Sequence, residues 1–369
     1  MRKRTKAVKK TAIEWLFAGF SWAVILLSFL LFVPVHVALS AGIGGLSLVI
    51  FSVAALILTL IIRFIPIETR WVRAGLSLSL FLAVVSVGVP QFGYYTVAKS
   101  VGAKLSFSPV EYLRFSGKTT IPPSATFTYK QVGEESLQIA FYGEQDQQHP
   151  KPTVMLLHGG GWRYGTHTET GRWPEVLTRA GYQVASVQYR LSSPDHTSWQ
   201  QAPSDIHDAL KFLKDHASDF GVDSSRLSLM GQSAGGHLAL LEAYKNAGVY
   251  SVISLYAPID LALDYTTSRD KSSEIYFVGG SPSEFPDRYQ TLSPAAYVSP
   301  TSPRTLILQG KRDDLVATQN AVELSNKLAD NGVWYQTVLL PYTGHSFENQ
   351  RGGFATQIAE QVVVDFLGR

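Results

Sequence analysis

The distribution of charge along the chain is the feature that most constrains its fold. No Asp, Glu, Lys or Arg occurs in residues 15–62 or in residues 74–98, whereas the sequence from Lys99 onward mixes charged, apolar and turn-forming residues. A helix needs about 20 predominantly apolar residues to cross the hydrocarbon core of a bilayer, and both charge-free stretches are long enough. The sequence therefore predicts an apolar N-terminal region followed by a globular C-terminal region.

Three transmembrane helices are predicted in the apolar region, residues 1–98, which would anchor the protein in the lipid bilayer. The predicted spans are residues 13–33, 39–62 and 74–94. Lys and Arg collect on the cytoplasmic side of a membrane, so the basic N-terminus and the Arg-containing segment 63–73 are expected inside the cell. The third helix then exits outward. The expected location is the plasma membrane, with the globular domain outside the cytoplasm.

A second interpretation of the first apolar segment is a cleaved signal peptide that ends near Ser40. The segment is long for a signal peptide, so a retained helix is preferred, and the third helix exits outward in either case. A transporter is a weaker interpretation than an anchor. Three helices are few, and residues 15–62 contain no charged side chain that could form an ion or proton pathway.

The composition and the spacing of ionisable residues argue against nucleic acid, cysteine chemistry and metals. The formal net charge is only +3, and the basic excess lies beside the apolar segments, so nucleic acid is not an expected partner. The chain contains no cysteine, which excludes disulfides, thiolate metal sites and a thiol nucleophile. No His, Asp and Glu residues have the spacing of a metal site. Neither a metal nor a cofactor is expected, and the oligomeric state stays open.

Strand-like and helix-like patterns alternate after a linker, residues 99–125, that is rich in Ser, Gly and Pro. Most predicted strands are continuous apolar runs, which is typical of strands buried on both faces of a sheet. Their alternation with helices predicts an α/β domain over residues 126–369, with a mostly parallel sheet covered on both sides. The predicted strands are residues 127–132, 137–142, 153–157, 182–189, 227–230, 252–256, 305–308 and 334–340.

Ser233 lies in a sharp turn between a predicted strand and a predicted helix. The surrounding residues read G-Q-S-A-G; they follow strand 227–230 and precede helix 238–244. Such a turn needs small residues around the serine, and it lifts the hydroxyl clear of the sheet at a helix N-terminus. The pentapeptide alone is weak evidence, but its position between a strand and a helix predicts that Ser233 is a nucleophile.

Three consecutive glycines follow another predicted strand, in the run H-G-G-G-W that begins at His158. Glycine has no side chain to pack and is costly to order, so the run indicates a need for exposed backbone. Acyl transfer develops negative charge on a carbonyl oxygen, which preorganised N–H donors stabilise. The glycine run is therefore a candidate oxyanion hole.

A nucleophilic serine needs a base, and the base needs an orienting carboxylate. In this type of fold the acid and then the histidine follow the serine along the chain. The strand 305–308 leads into G-K-R-D-D, and G-H-S-F follows the last predicted strand. His345 is the predicted base and Asp313 the predicted acid, with Asp314 as the competing acid. His158 and His237 flank the two turns and are expected to brace them.

Together these motifs resemble those of the α/β-hydrolase esterases, in the branch of hormone-sensitive-lipase-like carboxylesterases and small feruloyl and acetyl esterases. The resemblance runs from about residue 126 to the C-terminus and rests on H-G-G-G-W, V-A-S-V-Q-Y-R-L, G-Q-S-A-G-G-H-L-A, G-K-R-D-D-L-V and G-H-S-F. It implies an α/β-hydrolase fold in which residues 261–292, the least family-like segment, form a short cap-like insertion. The site residues that it implies are Ser233 as nucleophile, Asp313 as acid, His345 as base, and the N–H groups of Gly160, Gly161 and Ala234 as oxyanion donors.

The expected activity is hydrolysis of small or short-acyl carboxylic esters, free or linked to glycans, through an acyl-Ser233 intermediate. Two alternatives stay open. A serine peptidase or amidase of the same fold would carry the same serine turn. A non-catalytic surface domain with a hydrolase-like fold would have no need of a complete triad.

Overall fold

The computed structural model describes residues 70–112, 119–246 and 248–369, together with the isolated residues Gly19 and Ile57. The predicted spans 13–33 and 39–62 lie outside the continuous described ranges. The third predicted span, 74–94, lies within helix α1 (Arg70–Val101). Within the described ranges, no helix combines the length and the apolar character that crossing a membrane requires. The predicted anchor is therefore not confirmed.

The chain forms two compact units, Met1–Thr96 and Val97–Arg369. In the second unit, the segment that was predicted to be a linker contacts the last helix of the chain. The side-chain amide of Gln361 both accepts from the backbone N–H of Lys104 and donates to its carbonyl, each at 2.8 Å. Gln357 makes the same pair of bonds with the backbone of Ser106. Paired amide bonds thus hold this stretch against the C-terminal helix.

An eight-stranded sheet forms the centre of the second unit, in the order β1-β2-β4-β3-β5-β6-β7-β8. The pairs β1–β2 and β2–β4 are antiparallel, and every pair from β4 across to β8 is parallel. All eight predicted strands are present. The strands are β1 (Ala125–Val132), β2 (Glu135–Tyr142), β3 (Lys151–Leu157), β4 (Gln183–Val187), β5 (Val222–Gln232), β6 (Ser251–Leu255), β7 (Arg304–Gly310) and β8 (Tyr335–Leu340).

The central strands are buried on both faces, as their continuous apolar sequences predict. Every residue of β4 and β6 is buried, and so are all residues of β7 after Arg304. Because successive side chains of a strand point to opposite faces, uninterrupted burial requires a cover on each side of the sheet. The prediction of a mostly parallel, doubly covered sheet is confirmed, and the antiparallel start of the sheet was not part of that prediction.

Helices connect the parallel strands and cover the sheet. Residues 261–292, predicted to be a cap-like insertion, fold as three short helices between β6 and β7, of which the first is capped by the Asp260 carboxylate through the N–H groups of Ala262 and Leu263. The helices after α1 are α2 (Pro109–Tyr112), α3 (Trp173–Arg179), α4 (Gln201–Asp215), α5 (Ala217–Phe220), α6 (Ala234–Asn246), α7 (Leu261–Thr267), α8 (Ser272–Val278), α9 (Pro286–Leu292), α10 (Thr318–Asp330) and α11 (Phe354–Gly368).

The predicted site residues follow the carboxyl ends of different strands. The glycine run follows β3, Ser233 follows β5, Asp313 follows β7 and His345 follows β8. Because these strands run parallel to one another in one sheet, their carboxyl ends lie along one edge. The sheet therefore brings together residues that are more than a hundred positions apart in the chain.

Candidate active site

Ser233 occupies a strained turn between β5 and α6. Its φ of +52° lies in the left-handed region, which is unfavourable for a residue with a side chain and is often found at functional sites. A Cβ on Gly231 would lie 2.2 Å from the carbonyl oxygen of Gly235, and one on Gly235 would lie 2.3 Å from that of His158. Only glycine fits at the positions two residues before and two residues after the serine, which explains the G-x-S-x-G pattern.

The structure brings Ser233, His345 and Asp313 into hydrogen-bonding contact. The distance from His345 Nε2 to Ser233 Oγ is 3.0 Å, and the distance from His345 Nδ1 to Asp313 Oδ2 is 2.8 Å. A carboxylate can only accept, so it selects the tautomer with hydrogen on Nδ1. Nε2 is then free to accept the hydroxyl proton of Ser233. This arrangement is that of a nucleophile, a general base and an orienting acid.

Asp313 rather than Asp314 is the partner of His345. The Asp313 carboxylate is fully buried; its Oδ1 accepts from the N–H groups of Leu315 at 3.0 Å and Val316 at 2.9 Å. Asp314 instead forms an ion pair with Arg269, with 3.1 Å between Arg269 Nε and Asp314 Oδ2. Backbone donors thus fix the Asp313 carboxylate in the orientation that His345 needs.

The predicted oxyanion donors have free N–H groups. Gly160 and Gly161 have φ values of +118° and +58°, and both line a cavity together with Ser233. A Cβ on Gly160 would lie 2.1 Å from the carbonyl oxygen of Tyr164, so this turn also requires glycine. Ala234 does not line the cavity, but it begins α6 directly after Ser233. None of these three N–H groups donates to an acceptor in the part of the protein that the structure describes.

His158 and His237 brace the two turns, as expected. His158 Nδ1 donates to the carbonyl of Gly159 at 2.7 Å, and its ring stacks on Tyr189. His237 Nδ1 accepts from Trp162 Nε1 at 3.2 Å, while Nε2 donates to the carbonyl of Leu292 at 2.7 Å. Burial lowers the pKa of His158 and of His237 to about 4. Both rings are therefore neutral near pH 7 and hold the glycine loop and α6 in place.

Acid should destabilise the fold through these two histidines. Their ordinary pKa is 6.5 and their folded pKa is about 4, so the unfolded chain binds more protons within that window. The contribution of these histidines to the free energy of unfolding is therefore fully present above the window. It decreases as the pH is lowered through the window, by about 2 kcal/mol for each histidine at pH 5. In urea unfolding at pH 7 and pH 5, His237→Gln should lose about 2 kcal/mol less than the wild type. The exposed His196 supplies the control, since H196Q removes an imidazole that the fold does not bury.

A cavity of about 440 Å³ opens beside Ser233, and several of its lining residues carry no sequence motif. The Tyr256 ring packs against the His345 ring at 4.5 Å. The Glu348 carboxylate accepts from the Tyr256 hydroxyl, and also from Gln232 Nε2 at 2.6 Å. Burial raises the pKa of Glu348. The only sequence clue to Glu348 and Gln232 is their position close to His345 and Ser233 in the chain.

Two further cavity residues, Asp264 and Glu274, come from the helices of the insertion. No sequence motif marks either residue. The described residues include no group of three or more His, Cys, Asp or Glu that could hold a metal ion.

A mostly parallel sheet whose carboxyl edge carries a serine, an aspartate and a histidine, in this order along the chain, is typical of the α/β-hydrolase fold, and solved structures agree. An acetyl ester-xyloside bifunctional hydrolase from Caldicellulosiruptor lactoaceticus matches with a TM-score of 0.60 at 18% identity, over 68% of this chain and 97% of that one. The butyrate-bound esterase Est2 of Thermogutta terrifontis matches with a TM-score of 0.57 at 20% identity, over 67% and 94%. The predicted α/β-hydrolase fold with its mostly parallel sheet is thereby confirmed.

The chain belongs to the BD-FAE family, whose model matches residues 139–328. Among curated proteins, it is similar to esterase LipC of Mycobacterium tuberculosis, with 25% identity over 222 residues, which are 54% of this chain and 54% of LipC. The chain spans about half the length of the curated relatives it matches.

Proposed function

We propose that the protein is a serine carboxylesterase that hydrolyses short-acyl esters. The observation that carries the proposal is the continuous hydrogen-bonded arrangement from Ser233 through His345 to the buried Asp313. The relative LipC is named an esterase, which supports the same reaction class.

In the proposed reaction, Ser233 Oγ attacks the carbonyl carbon of the ester while His345 Nε2 takes the hydroxyl proton. The negative charge that develops on the carbonyl oxygen is stabilised by the N–H groups of Gly160, Gly161 and Ala234. The intermediate then collapses, the bond to the alcohol oxygen breaks, and His345 returns the proton to that oxygen. Water attacks the acyl-Ser233 ester by the same route, which releases the carboxylic acid and restores the serine.

The proposed substrates are small or glycan-linked esters with short acyl groups. A cavity of about 440 Å³ suits a small molecule. The two structural neighbours support this range, because one is named for acetyl ester hydrolysis and the other holds butyrate.

We also propose that the N-terminal apolar region anchors the protein in the plasma membrane with the α/β-hydrolase domain outside the cytoplasm. The absence of charge in residues 15–62 and the basic residues that precede them support this location. Labelling of the domain in intact cells by a membrane-impermeant reagent tests it, because a cytoplasmic domain would be protected.

A fluorophosphonate probe tests the proposed function directly. The hydrogen bond to His345 activates Ser233, so the probe should form a covalent adduct at Ser233 that is found by peptide mass spectrometry. The same preparation should cleave 4-nitrophenyl acetate much faster than a peptide 4-nitroanilide. Preference for the anilide would favour a peptidase, and absence of both labelling and turnover would favour a non-catalytic domain.

A further inference from the structure

Two carboxyl groups meet inside the cavity that contains Ser233. Asp264 of α7 and Glu274 of α8 line this cavity, and each is only 2% exposed. The two carboxyl groups are close enough to affect each other's pKa, and Asn320 Nδ2 lies 3.3 Å from Asp264 Oδ1. Glu274 Oε2 has no hydrogen-bond partner among the described residues. A buried acceptor without a donor is costly, so this oxygen is suited to a donor that a ligand brings.

Acidic side chains predominate around this pair. Glu169, Asp270 and Glu348 also line the cavity, whereas none of its described lining residues is Lys or Arg. Hydrogen bonds from Ser272, and then the guanidinium groups of Arg163 and Arg269, lower the pKa of Asp270, but neither arginine lines the cavity.

Burial and the contact with Glu274 raise the pKa of Asp264, and burial raises the pKa of Glu274 as well. Without a cation beside them, both carboxyl groups are shifted towards their neutral forms. A bound cation would favour loss of a proton from the pair and place a negative charge beside the unpartnered Glu274 oxygen. A buried charge needs a counter-ion, and no Lys or Arg is among the described residues that line the cavity. A ligand hydroxyl would donate a hydrogen bond but leave the charge unbalanced. An ammonium group would both donate a hydrogen bond and balance the charge.

The pair lies close to the reacting groups. A Cβ on Gly161, one of the proposed oxyanion donors, would lie 2.6 Å from Ser273 Oγ, and Ser273 directly precedes Glu274. Trp162, the next residue of the glycine loop, stacks on Phe277 of α8 with ring centroids 4.6 Å apart. One small molecule can therefore reach both the glycine loop and the carboxyl pair.

We propose that Asp264 and Glu274 form a subsite for an ammonium group, so that the preferred substrates are short esters that carry a positively charged amine. The substrate part of this inference rests on the proposed esterase function. The cation-binding part does not, because the cavity and its carboxyl pair are present whether or not Ser233 reacts.

Binding of two ligands of the same shape tests the subsite. The full-length protein in detergent is titrated calorimetrically with tert-butylammonium chloride and with tert-butanol, which differ in charge but hardly in size. The wild type should bind the ammonium ion about tenfold more tightly, because hydrogen bonds to charged groups are stronger than neutral ones. Glu274→Gln, and separately Asp264→Asn, should abolish this preference. Glu284 lies on the exposed surface of the same insertion, so E284Q should retain the preference.

Equal affinity for the two ligands in the wild type, or tighter binding of tert-butanol, would overturn the inference even if both cavity variants fail to fold. Retention of the preference in well-folded Glu274→Gln would also overturn it. Hydrolysis of 4-nitrophenyl acetate, measured in parallel, separates the two proposals. Ammonium binding without hydrolysis refutes only the esterase, and hydrolysis without ammonium preference refutes only the subsite.

Discussion

Substitution of Ser233 by alanine is expected to lower kcat/KM for 4-nitrophenyl acetate by about 10⁴-fold or more, because no other group can form the acyl intermediate. His345 and Asp313 would remain in place but would have no hydroxyl to deprotonate. The residual rate should come only from binding and from the free N–H groups of the glycine loop. Steady-state hydrolysis of the aryl ester by wild type and variant measures the loss.

Ser225 provides a matched control for this substitution. It lies on the same strand, β5, but its hydroxyl is bonded to Asp223 on the surface. Ser225→Ala should keep kcat/KM within about twofold of the wild type. A change at the surface rarely affects stability, so the folded active site should be unchanged. Undiminished turnover by Ser233→Ala would refute the proposed mechanism.

Replacement of Asp313 by asparagine is expected to have the second largest effect, a loss of about 10³- to 10⁴-fold in kcat/KM. The amide NH₂ cannot accept the hydrogen of His345 Nδ1 as a carboxylate does. It favours the opposite tautomer, in which Nε2 carries the hydrogen and cannot accept the proton of Ser233. Size and shape are nearly unchanged, so the effect is one of proton position.

The neighbouring Asp314 provides a matched control for the Asp313→Asn substitution. Asp314→Asn removes the same charge one residue away but leaves the hydrogen bond between Asp313 and His345 intact, and it should lower kcat/KM by less than tenfold. The substitutions are compared in the same assay, with thermal unfolding as a check that both variants are folded. If D314N lost as much activity as D313N, the assignment of the acid would be wrong.

The strands and the serine turn could be predicted because each depends on residues that are close together in the sequence. Continuous apolar runs identify the central strands, since a strand buried on both faces must be apolar along its length. The small residues around Ser233 predict its turn, because that backbone leaves no room for a Cβ. The order of serine, acid and histidine selects Ser233, His345 and either Asp313 or Asp314 as the acid, and the sheet then brings Ser233, Asp313 and His345 together. Their chemical roles remain proposals that the substitutions above test.

The location of the protein stays a prediction as well. It depends on the first two predicted spans, which lie outside the continuous described ranges. The third span is helical, but no described helix meets the requirements of a membrane span.

The sequence by itself determined the strands, the serine turn and the glycine loop, since each depends on side-chain size and polarity within a few residues. Only the tertiary structure decided that Asp313 contacts His345 while Asp314 pairs with Arg269. It alone placed Asp264 and Glu274 together in the cavity. The reason is that such contacts depend on strand order and helix packing, which join residues far apart in the chain and leave no periodic pattern in the sequence.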